Sequence, residues 1–184
     1  MWISLLMVSG LASADDTSFS FVVVGDTQTD GSHSSINWDV LPDLVDSMNR
    51  VGPDLAIFVG DLVGGSSYLS STITQWEDFD AVTSNLSCDR YMVPGNHDMY
   101  AGLATFDAWV EMWPFLPTEN SPEGEEGMTY YFDYGNTRFI SVRTDDPIEG
   151  YVPVTQQDWL EEVLADSGAQ VRRPARGGGS ARVW

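Results

Sequence analysis

The sequence predicts an α/β protein, and three observations predict it. Three apolar runs rich in β-branched and aromatic residues, Phe21–Val24, Leu55–Val59 and Tyr91–Val93, read as strands buried on both faces. Each closes on a glycine followed by an oxygen-bearing side chain: Gly25-Asp26, Gly60-Asp61 and, after Pro94, Gly95-Asn96. Segments with helical periodicity separate the runs, and alternating strands and helices describe a sheet with helices packed on its faces.

The first strand is expected over Ser18 to Gly25, and the polar cluster Asp30 to Ser35 behind it reads as a loop. Trp38, Leu41, Leu44, Val45 and Met48 recur at three- and four-residue spacing, so a helix follows and stops before Gly52-Pro53. After the second strand, Gly64 to Ser71 forms a loop. Ile73, Trp76, Phe79, Val82 and Leu86 then share one face of a second helix. Cys88, the only cysteine, excludes an internal disulfide and reads as a small hydrophobe before the third strand. Phe106 to Trp113 predicts a short helix ended by Pro114 and Pro117. Thr129 to Tyr134 and Thr137 to Val142 flank Gly135-Asn136, the signature of a two-stranded hairpin. Val154 to Leu164 predicts a last helix, capped by Thr155, with Trp159, Leu160, Val163 and Leu164 facing inward.

Parallel strands of an α/β sheet collect their ligands at the carboxyl ends. Asp26, Asp61 and Asn96, each one step past such an end, therefore form a candidate cluster of hard oxygen ligands. Oxygen with imidazole suits Mn, Fe or Zn, which points to a metal-dependent hydrolase.

The ordered motifs GDTQ, GDLV and GNHD, about 35 residues apart, resemble the signature of the calcineurin-like metallophosphoesterase family. A lone Gly-Asp is a common turn dipeptide. Three in this order, each closing a strand, are far more specific, and GNHD is the most specific of them. The resemblance covers roughly Phe19 to Ala169. It implies a layered β-sandwich flanked by helices, with a second sheet started by the hairpin. It also implies a phosphoester substrate hydrolysed at two divalent metal ions, with Asp26 on the first, Asp61 bridging both and Asn96 on the second. His97 would then protonate the leaving oxygen, and Asp98 would orient it or cap the loop. Gln28 stands where the family usually has histidine, and reads either as a ligand or as a hydrogen-bond donor beside one. Gly64 occupies a position where the family often places an acid to orient the histidine. His33 matches no motif and is expected to be a solvated loop residue.

At 184 residues the chain suits one domain. Acids outnumber bases 28 to 8, with no lysine and four of the arginines at or after Arg172. Such a surface favours solubility and disfavours binding to nucleic acid or anionic membranes. Trp2 to Leu11 is largely apolar and runs into Ala12-Ser13-Ala14, which predicts a signal peptide over residues 1–14 and a secreted or periplasmic product, although no Lys or Arg precedes it. The run is too short to be a transmembrane anchor.

The final stretch, residues 171–184, is an Arg/Gly-rich tract unlike the rest. In the family, another strand ending in a histidine motif follows the last helix. Read one base later, the degenerate codons of Val171 to Arg176 permit Phe-Val-Val-Leu-His, so the tract is expected to reflect truncation or a frameshift, with the C-terminal strands missing and residues 15–170 a partial domain. No histidine follows His97. The alternative expectations are an inactive fragment or pseudoenzyme that keeps the fold, and a noncatalytic interaction domain using Trp109, Trp113 and Phe115 near Tyr100.

Overall fold

The computed structural model describes residues 18–29, 36–144 and 152–166, together with the backbone of Leu6–Met7. His33, the loop at 30–35, the Arg/Gly tract from 171 and most of the apolar leader lie outside the described residues.

Two crossover units build the main sheet. β2 (Phe21–Val24), α1 (Leu41–Val51), β3 (Leu55–Val59), α2 (Leu69–Thr83) and β4 (Asp89–Val93) alternate along the chain. β2, β3 and β4 pair in parallel, with Val24 opposite Phe58 and Phe58 opposite Met92. The two-residue strand β1 (Leu6–Met7) adds antiparallel to the outer edge of β2. α1 starts with proline in its first turn and ends where Gly52, at φ 66°, sends its N–H back to the Met48 carbonyl at 2.9 Å. Leu41, Val45 and Met48 form its buried stripe. Trp38, expected to join that stripe, sits in the turn before the helix and is 51% exposed.

The pleat divides the strands between two cores. Phe58 packs edge-on to Phe79 of α2 at 5.2 Å, and Arg90 pairs with Asp80 of the same helix at 2.6 Å, so Val24, Phe58, Arg90 and Met92 share the helical side. α3 (Ala104–Met112) closes that side. Trp109 and the following Trp113 are fully buried against Trp76, with ring centroids 5.5 and 5.4 Å away. Their indole N–H groups are satisfied internally, by Gly127 O at 2.9 Å and Asp80 Oδ1 at 3.3 Å. These two tryptophans are therefore core, and the aromatic surface expected of them with Phe115 and Tyr100 does not exist; only Phe115 and Tyr100 are exposed.

On the other side lies the hairpin β5 (Tyr130–Tyr134) and β6 (Thr137–Ser141), turned through Gly135 at φ 58°. It forms a separate antiparallel sheet, with Phe132 opposite Phe139. Its inner face meets the main sheet through aromatic rings: Phe132 stacks on Tyr91 at 3.6 Å, and Phe139 meets Phe21 edge-on at 5.2 Å. Tyr130 O–H donates to the Met92 carbonyl at 2.6 Å, which pins the start of β5 near the carboxyl end of β4. α4 (Val154–Asp166) covers the outer face, with Trp159 near Tyr131 and Arg138 reaching the Val163 carbonyl. The result is four layers, helix–sheet–sheet–helix, the sandwich that the motifs implied.

α4 turns the expected face inward, with Trp159 and Leu160 half-buried and Val163 buried, and departs from expectation at two residues. Thr155 is its second residue, not its cap, and Leu164 is 43% exposed. Val163 and Gln156, seven residues apart, carry the buried stripe.

Candidate metal centre

The parallel register places the three Gly-Asp/Asn steps side by side at one end of the sheet. Asp26 and Asp61 both adopt left-handed backbone, at φ 55° and 50°. This costs about 1 kcal/mol per residue for side chains with a Cβ, and such strain persists where the surroundings enforce it. Here the ladder enforces it: Asp26 N–H bonds to the Gly60 carbonyl at 3.2 Å, two residues beyond the last strand pair, Val24 with Phe58.

Asp61 is the hub. Its Oδ1 accepts the backbone N–H of His97 at 3.1 Å, and its Oδ2 lies 3.4 Å from Gln28 Nε2. Gly95 is required beside it, because a Cβ there would overlap Asp61 Oδ1 and the Asp61 amide. Gly60, at φ 85°, also leaves no room for a side chain, since a Cβ there would lie 2.8 Å from the Gly95 amide nitrogen. Asn96 follows directly, half-buried in the same turn.

His97 is oriented by a backbone group. Its Nδ1 lies 2.9 Å from the Gly64 carbonyl, which can only accept, so Nδ1 carries a hydrogen and Nε2 is left for other work. Gly65, at φ 67°, makes this possible, since a Cβ there would run into the His97 carbonyl. The Gly64 carbonyl thus takes the place of the acid that sequence reasoning looked for at this position. The Gly64-Gly65 doublet was the available signal, because only glycine allows so close a backbone approach.

Asp98 does not touch the His97 ring. Its carboxyl is fully buried and accepts three backbone N–H groups: Leu62 at 3.2 Å, Val63 at 3.3 Å and Gly95 at 2.8 Å. It ties the loop after β3 to the loop after β4. Burial pushes this carboxyl up to about 7, with the Gly95 and Leu62 N–H groups pulling the other way. Thr27, missed by sequence reasoning, adds a matching tie from β2, its hydroxyl donating to the Leu62 carbonyl at 2.7 Å.

Gln28 Oε1 is buried and has no hydrogen-bond partner, although its own Nε2 is engaged by Asp61. An orphaned buried acceptor beside a carboxylate is costly unless a cation or donor satisfies it. This donor set fits a divalent ion. Among the described residues no group of three His, Cys, Asp or Glu side chains is placed to hold a metal ion, so a site here would draw on amide oxygens as well.

A family model described as calcineurin-like phosphoesterase matches residues 19–178, and the chain belongs to that family of metal-dependent phosphoesterases. No curated protein matches the chain in sequence. No described helix is long and apolar enough to cross a membrane.

Proposed function

We propose that the chain hydrolyses a phosphate ester at a dinuclear centre, with Asp26 and Gln28 holding the first ion, Asp61 shared by both and Asn96 holding the second. The observation that carries this reading is the unpartnered Gln28 Oε1 buried beside Asp61. When bound, two divalent ions at such a site neutralise phosphoryl charge and acidify a water near neutral pH.

The protein's own residues supply position and a proton. The Asp98 and Thr27 ties hold the loops so that Asp61 keeps its strained backbone in place. With Nδ1 committed to Gly64, His97 Nε2 is the nitrogen that delivers a proton to the leaving oxygen. We also infer export, supported by the apolar run Trp2 to Leu11 before Ala12-Ser13-Ala14; N-terminal sequencing of mature protein should begin at Asp15.

The test of the catalytic reading is hydrolysis of a generic aryl phosphate with excess Mn or Zn. The wild type should turn over in a metal-dependent way and Asp61→Asn should lose that turnover by orders of magnitude. Equal rates in the two proteins would remove Asp61 from the site.

A further inference from the structure

Tyr100 is 62% exposed, and its ring centroid lies 6.4 Å from that of His97, with the two planes only 29° apart. The placement is built, not incidental. Tyr100 N–H bonds to the His97 carbonyl at 3.3 Å, and the turn is anchored one residue earlier by Met99, buried and bonded to the Gly95 carbonyl. Gly65 gives up its side chain to the same contact, since a Cβ there would meet Tyr100 Cβ at 3.2 Å as well as the His97 carbonyl. Among the described residues the only ring beside this exposed aromatic face is that of His97.

We propose that Tyr100 is a specificity residue, forming a wall for the leaving group and selecting phosphoesters whose leaving group carries a planar aromatic ring. This rests on the reading of His97 as proton donor. A donor within hydrogen-bond reach of the leaving oxygen sets the oxygen's substituent within a few ångströms of the imidazole. The neighbouring Tyr100 ring, nearly parallel to the imidazole, is then the surface against which that substituent lies.

The experiment separates ring recognition from leaving-group chemistry by comparing benzyl with cyclohexylmethyl compounds, which match in size. Non-hydrolysable benzylphosphonate and cyclohexylmethylphosphonate are titrated calorimetrically into metal-loaded wild type, Tyr100→Phe and Tyr100→Ala, and kcat/KM is measured for the two phosphate esters. Wild type should prefer the benzyl member about fivefold to tenfold in both assays, the size expected of one ring–ring contact. The preference should survive in Tyr100→Phe and fall to within about twofold of unity in Tyr100→Ala, through KM more than kcat. A wild-type preference near unity, or one unchanged in Tyr100→Ala, overturns the proposal while leaving the phosphoesterase reading intact. Failure of the metal-loaded wild type to hydrolyse either ester overturns that reading, and the proposal with it.

Discussion

The buried carboxylate of Asp98 accepts the backbone N–H of Leu62 at 3.2 Å, joining the residue after Asp61 to the end of the GNHD motif. With Val63 and Gly95 as further donors, one side chain satisfies three amides, those of Leu62 and Val63 fully buried and that of Gly95 partly so. Asp98→Ala should therefore cost about 3 kcal/mol or more of stability, since each orphaned buried donor costs roughly 1–3 kcal/mol. Urea denaturation checks this. A loss below about 1 kcal/mol would mean that the loops hold together without the carboxylate.

The same group sets a pH dependence. Its folded value, pushed up to about 7, lies above the ordinary 3.8, so the native state binds this proton more tightly than the unfolded chain. The resulting stabilisation is complete below about pH 4 and is lost as pH rises through about 7. In EDTA, the stability of wild type relative to Asp98→Asn should fall from pH 4 to pH 7. A rise over that window would reverse the sign and contradict the burial argument.

Gly95→Ala tests the packing around Asp61 without altering any proposed ligand. The added methyl overlaps Asp61 Oδ1, so the carboxylate must move. Metal affinity should drop by at least tenfold while circular dichroism shows the fold retained. Unchanged affinity would mean that the position of Asp61 is not critical for binding.

The elements differ in how much of them is legible in the sequence. The strand ends were readable because an apolar run followed by Gly-Asp states both burial and terminus in five or six residues. α1 was readable because Gly52-Pro53 punctuates its end. α4 was readable in its face, Trp159, Leu160 and Val163, but not in the edges of that face, because the hairpin surface it covers buries Gln156 and leaves Leu164 out. Trp109 and Trp113 look the same in sequence whether they form a surface or a core; Trp76 and Phe79, from another helix, decide it. At the site, the motif order named Asp26, Gln28, Asp61, Asn96 and His97. It left open what orients His97 and what Asp98 does, because a backbone carbonyl from Gly64 and three loop amides are tertiary partners with no signature of their own.

His97 should be separable from metal binding. Its Nδ1 bonds to Gly64 and its N–H to Asp61, while no proposed ligand depends on its ring. His97→Asn should keep its metal and lose about 100-fold or more in turnover of alkyl phosphates. The loss should be smaller for aryl esters with acidic leaving groups, which need no proton. A variant that loses its metal instead would make His97 a ligand.

The proposed sharing of Asp61 by two ions is tested by the number of Mn or Zn ions bound per chain, by equilibrium dialysis and elemental analysis, in wild type and Asp61→Asn. Wild type should bind two ions per chain and the variant should lose both, because a bridging carboxylate serves each. A wild type that binds one ion or none, or a variant that keeps two, would contradict that sharing.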